Sequence, residues 1–116
     1  MFAVIFELVP QEGQKEAYFN LAKELRPLLE DIDGFISIER FQSLNNPNKT
    51  LSLSFWRDEA SIQQWRTLEK HRLAQAQGRA SIFETYRLRV AEVSRDYGLL
   101  ERTEAPEDSQ GFHAKR

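Results

Sequence analysis

The stretch Leu51–Arg79, LSLSFWRDEASIQQWRTLEKHRLAQAQGR, decides the fold, because an alternating pattern gives way within it to a helical one. Leu51, Leu53 and Phe55 alternate with Ser52, Ser54 and Trp56, the mark of a strand with two unlike faces. Asp58 is placed to accept from the free amides of the next turn as an N-cap, and Glu59 adds negative charge at the helix's positive end. Asp58 to Gln77 is helical in composition, with Gly78 as its stop. Trp65, His71, Arg72 and Gln75 on that helix bring groups able to meet a small ligand into one region.

Working outward, Phe2 to Val9 reads as a strand largely apolar on both faces, ended by Pro10 and Gly13. From Glu12 to Ile32 the positions Tyr18, Leu21, Ala22, Leu25, Leu28, Leu29 and Ile32 recur at helical spacing, and Pro27 is expected to bend this helix or split off its last turn. Gly34 permits the exit, Phe35 to Phe41 is a strand, and Asn45-Asn46-Pro47-Asn48 is turn chemistry that sets up a hairpin with Leu51 to Trp56. Ser81 to Ser94, rich in aromatic and β-branched residues, is the last strand.

The order βαββαβ predicts an α+β, ferredoxin-like domain, a four-stranded antiparallel sheet with both helices on one face. The other face is then expected to carry Ala3, Ile5 and Glu7; Phe35, Ser37, Glu39 and Phe41; Ser52, Ser54 and Trp56; and Thr85, Arg87 and Arg89. That mixture is too apolar for solvent and predicts a homodimer with sheets packed face to face, Glu7 and Glu39 pairing Arg87 or Arg89. The domain is expected over residues 1–98, with 99–116 a tail that is either disordered or laid on the partner.

Composition narrows the function. A chain of 116 residues, 41% hydrophobic, buries one modest core, and 16 basic against 18 acidic residues leave a net charge of −2, which argues against nucleic acid or an anionic membrane as partner. No cysteine is present, so thiolate catalysis and cysteine-based zinc sites are excluded. No HxxxH or HxH spacing supports a metal, and the isolated glycines form neither a P-loop nor GxGxxG. The apolar start MFAVIFELVP lacks the basic flank and cleavage site of a signal peptide, and no run reaches the about 20 apolar residues of a membrane span, so a soluble cytoplasmic protein is expected.

Gly34-Phe35-Ile36-Ser37-Ile38-Glu39-Arg40-Phe41, followed by Ser54-Phe55-Trp56, Asp58-Glu59, Trp65-Arg66, His71-Arg72 and Tyr86, resembles the antibiotic biosynthesis monooxygenase (ABM) superfamily of dimeric α+β barrels, over about residues 1–98. The resemblance implies a barrel dimer and a ligand pocket between sheet and helices. It also implies one of three functions: cofactor-free oxidation of a small aromatic, quinol or polyketide-like molecule with O2; haem binding or degradation; or non-catalytic ligand binding in a stress-associated dimer. Trp65 falls where both oxygenase branches place a pocket tryptophan, and His71 where the cofactor-free branch has a ring-bearing substrate contact. This chain departs from the family at two asparagines: Ser61 replaces the one before the tryptophan in the cofactor-free branch, and Phe6 the one on the first strand in the haem branch. The haem branch's ligating histidine falls near Gln75.

The candidate site is therefore His71 as general base, with Trp65, Phe6, Ser61, Arg72, Gln75 and Tyr86 around the substrate and no metal. His71 would take a proton from an activated phenol or enol, whose anion then passes an electron to oxygen behind apolar walls. At about 100° per residue, Trp65 and His71 lie about 120° apart on an unbroken helix, so they share a pocket only if the helix bends. Trp56 is a core or barrel plug, and of Arg40, Arg66, Arg72 and Arg79, each able to hold an anionic oxygen, Arg72 is retained. Glu69 is read as a surface partner of Arg72.

Overall fold

The computed structural model describes residues 1–77 and 82–109, and of residues 73–77 the backbone alone. Six elements follow in order: β1 (Phe2–Pro10), α1 (Lys15–Glu30), β2 (Phe35–Gln42), β3 (Thr50–Trp56), α2 (Glu59–Gln77) and β4 (Phe83–Glu92). The strands form one antiparallel sheet in the order β2-β3-β1-β4, the ferredoxin-like α+β arrangement expected from the sequence. Each observed element lies within a few residues of the expected one; Ser81, expected to open the last strand, falls outside the described residues.

Register corrects the sequence reading of β3. Residues paired across an antiparallel ladder share a face, and β1 pairs Phe2 with Trp56, Val4 with Ser54, Phe6 with Ser52 and Leu8 with Thr50. Val4 and Leu8 belong to the core, so Thr50, Ser52, Ser54 and Trp56 point at the helices and Leu51, Leu53 and Phe55 at the open face, the reverse of the expectation. Local alternation fixes that a strand has two faces but leaves its phase to the neighbour. Trp56 is fully buried and donates its indole N–H to Ser54 Oγ at 2.9 Å. Phe35 also moves to the helix side: the pairing shifts between Phe35 and Ser37, and the Phe35 ring meets Trp56 edge-on at 5.4 Å.

The core lies under the helices. α1 contributes Tyr18, Leu21, Leu25 and Leu29 from one stripe, and α2 contributes Ile62 and Trp65. α1 runs unbroken through Pro27, which sits on its exposed side at the cost of one backbone hydrogen bond. The connection into α2 is tightly built. Gly34 holds φ +100°, a Cβ there would lie 2.6 Å from Ser61 Oγ, and the Gly34 carbonyl accepts from the Arg57 amide at 2.7 Å.

The open face carries Ile5, Phe41, Leu51, Leu53 and Phe55 together with Glu7, which pairs within the chain with Arg89 at 2.6 Å and Lys49 at 3.0 Å. Beyond β4, the Val93 amide donates to the Met1 carbonyl at 2.9 Å. Residues 97–109 then gather on Arg102, which donates to the Gly98 carbonyl and Ser109 Oγ and lies over the Tyr97 ring. Among the described residues no helix is long and apolar enough to cross a membrane.

Candidate functional site

Turning Ser52 and Ser54 toward the helices places two small side chains beneath a layer of leucines and aromatics, and the space they leave is a cavity of about 50 Å³. In that measure one water needs about 10–15 Å³, so the cavity admits a few waters or a compact organic fragment, and a larger ligand must displace side chains at its rim. Leu25 and Leu29 of α1, Ile62 and Trp65 of α2, and Val4 and Ile38 of the sheet supply apolar walls.

Polar groups gather around Arg40. It follows Ile38 by two residues on β2, so it shares that residue's helix-facing side, and it stands directly opposite Ser52 in the ladder. Its Nε donates to Tyr18 Oη at 3.2 Å, and the guanidinium lies 5.8 Å from the Tyr18 ring centre. Burial pushes the Tyr18 phenol up, and the Arg40 charge and hydrogen bond oppose that rise. Glu69, on the α2 wall, is likewise pushed up by burial against the opposing charge of Arg40, yet the two form no ion pair. Among the described residues, the Arg40 Nη groups have no protein acceptor, and neither the Tyr18 hydroxyl proton nor the Ser52 hydroxyl has a partner.

Of the residues expected at the site, Trp65 and Phe6 line this cavity. Ser61 is buried outside it, its hydroxyl held 2.8 Å from both the Asp58 carbonyl and carboxylate, where it fastens the start of α2. Tyr86 is 62% exposed and meets the wall through an edge-on ring contact with Phe6 and a tilted one with Phe83, each under 6 Å. The convergence expected of Trp65, His71 and Tyr86 is not formed: α2 is one unbroken helix, and His71 and Arg72 are exposed and absent from the lining. The Gln75 side chain and Arg79 lie outside the described residues. Tyr18, Ser52 and Glu69 were missed, and Arg40 was named without being retained; the signal available was a charge at the position two after a core isoleucine on the same strand. Among the described residues no group of three or more His, Cys, Asp or Glu side chains is placed to hold a metal.

An antiparallel ferredoxin-like sheet with two helices on one face and an apolar cavity between them define a ferredoxin-like α+β domain. The antibiotic biosynthesis monooxygenase family model matches residues 1–77, and the chain belongs to that family. Jasmonate monooxygenase ABM of Pyricularia oryzae is 53% identical over 94 residues, covering 81% of this chain, which spans only 44% of that protein's length. The Bacillus subtilis protein YqjZ, uncharacterized, is 30% identical over 102 residues, covering 88% of this chain and 87% of its own. Among solved structures, Rv0793 of Mycobacterium tuberculosis superposes with TM-score 0.69 at 16% identity, covering 84% of this chain and 98% of its own. SnoaB of Streptomyces nogalater, a cofactor-independent oxygenase, superposes with TM-score 0.66 at 7% identity, covering 82% and 94%; at such identities the likeness is one of fold.

Proposed function

We propose that the cavity is the reaction site of a monooxygenase-like domain that works without a bound cofactor on a small molecule able to supply its own electrons to O2. The observation that carries this is the cavity walled by Trp65, Leu25 and Leu29, whose lining also brings together Arg40, Tyr18, Ser52 and Glu69, with Ser54, Arg26 and Arg66 as its further polar members. Arg40 and Tyr18 hold a substrate oxygen and favour its anionic form, while Glu69, its carboxylate made more basic by burial, takes the proton. The resulting carbanion or phenolate passes electrons to O2 where apolar walls keep water from the intermediates. For an activated CH2 the balance closes within the substrate: CH2 plus O2 gives C=O plus one water, all four electrons coming from the carbon oxidised. A single-hydroxyl product would instead draw two electrons from a separate reductant.

The name of the Pyricularia relative makes a cyclopentanone carboxylic acid such as jasmonate the first compound to try, alongside the phenols and quinols of the sequence reading. The test is oxygen uptake with these compounds, with 18O2 to establish that one atom enters the product. Loss of turnover in Glu69→Gln with turnover retained in His71→Ala supports this assignment; the reverse result returns the role of base to His71. Binding without oxygen uptake marks a non-catalytic ligand carrier, and a Soret band on titration with haemin marks the haem reading. We further propose that the open sheet face, with Ile5, Phe41, Leu51, Leu53 and Phe55, packs on a second copy to close an α+β barrel, so that Leu53→Glu converts a dimer to monomer in sedimentation.

A further inference from the structure

Taking the open sheet face as the surface that meets a second copy, we infer that the two-fold axis of that dimer runs along the strands, so that β2 of each copy lies over β4 of its partner and Glu39 pairs with the partner's Arg87. Apolar contact has no direction and does not fix how two sheets are turned when they meet; the charges on this face do.

The face is sorted by charge from edge to edge. β2, at one edge, turns Glu39 to this side, and β4, at the other, turns Arg87 and Arg89. Between them β3 brings no charge, and β1 brings Glu7. Glu7 is already spent: Arg89 meets it at 2.6 Å and Lys49 at 3.0 Å, and the hydrogen bonds of Lys49 and Arg89 hold its carboxyl below the usual carboxylate range. Glu39 and Arg87 are exposed, and neither has an ion-pair partner among the described residues. Three strand spacings, about 14 Å, keep them apart within one chain.

Two sheets packed face to face by a two-fold have that axis in the plane between them, either across the strands or along them. With the axis across, each edge strand covers its own counterpart, so Glu39 meets the partner's Glu39 and the β4 arginines of both copies crowd together. With the axis along, β2 covers the partner's β4, and acid meets base at both edges. The levels agree with the second arrangement. Through Leu53 and Ile5 the ladders put Glu39 in the row of Arg89, and Arg87 stands one row on, about 7 Å along the strand. Sheets stack about 10 Å apart, a gap that a glutamate and an arginine together span. Of the two arginines, Arg87 is the one without an acid of its own.

The experiment is charge reversal on the whole protein, followed by sedimentation and native mass spectrometry at low salt, with circular dichroism as the check on folding. Glu39→Arg and Arg87→Glu, each alone, put like charges together at both edges and are expected to weaken the homodimer about tenfold or more. An equimolar mixture of the two variants is expected to form the heterodimer in preference to either homodimer, because the two reversed positions then meet each other and so do the two native residues. Both reversals in one chain are expected to restore the homodimer, and high salt to erase the differences. A parent protein that is monomeric overturns the dimer reading and the orientation with it. A dimeric parent whose variants associate as it does and mix statistically overturns the orientation and leaves the face-to-face dimer standing. Weakened variants that do not recover on mixing overturn the pairing as well.

Discussion

Ser52 and Ser54 sit two residues apart on β3, face the same helices and line the same cavity, yet replacing each with valine should have unequal effects on stability, a gain at Ser52 and none or a loss at Ser54. The Ser52 hydroxyl has no partner, so Ser52→Val orphans nothing and adds apolar volume to a space already present. At about 0.8 kcal/mol per buried methylene, with the β-branched side chain at home in a strand, the gain is about 1–2 kcal/mol. Unfolding entropy of about 2.1 cal/mol/K per residue makes this about 4 °C in Tm for each kcal/mol in a chain of this size. Ser54→Val adds the same volume but takes the acceptor from the Trp56 indole N–H, fully buried with its 2.9 Å bond to Ser54 Oγ. An orphaned buried donor costs about 1–3 kcal/mol, which cancels or exceeds the gain. The assay is thermal unfolding of both variants beside the parent, with the compounds of the oxygen-uptake test titrated into Ser52→Val, where filling the cavity should abolish binding. Equal shifts of the same sign in both variants, or a Ser52→Val protein that is destabilised and still binds, would refute the cavity and the phase of β3 from which it follows.

Two further outcomes concern the start of α2. Gly34→Ala puts a Cβ 2.6 Å from Ser61 Oγ at φ +100°, and because Ser61 is pinned to Asp58, the loss should be about 3 kcal/mol, relieved in part by pairing it with Ser61→Gly in a double-mutant cycle read by denaturant unfolding. Asp58 is lowered from 3.8 to about 2, first by the Ser61 amide, then by the Ser61 hydroxyl and Arg57, so its contribution is complete above the unfolded value and lost as pH falls through about 2; Asp58→Asn should flatten the fall of Tm between about pH 4 and pH 2.

The fold was legible because its signals are local. Alternation in Phe2–Pro10, helical spacing from Tyr18 to Leu29, the asparagine-rich turn and the Asp58 cap each act within a few residues, and their order restricts the topology to few choices. The face of β3 was not legible. Leu51, Leu53 and Phe55 outweigh Thr50, Ser52 and Ser54 on any hydropathy scale, and only the pairing with Val4 and Leu8 shows that the serines go inward. Trp65 was readable as a wall because a large aromatic on a helix is buried somewhere. His71 drew attention by its chemistry, but its position on an unbroken helix leaves it exposed about 120° from Trp65.

The misreading of β3 and the missed polar corner have one cause. A strand built for stability alone would turn Leu51, Leu53 and Phe55 under the helices and fill the space now open there. Placing Thr50, Ser52 and Ser54 inward instead gives up apolar burial, opens the cavity, and sets a hydroxyl beside Arg40. The leucines and Phe55 displaced to the open face then form the apolar surface that a second copy would cover. Cavity and proposed dimer face thus arise from one choice of phase, so a variant that restores packing at Ser52 should lose ligand binding and keep the oligomeric state. Leu53→Glu should do the opposite, which ties the two proposals to separable measurements on a single strand.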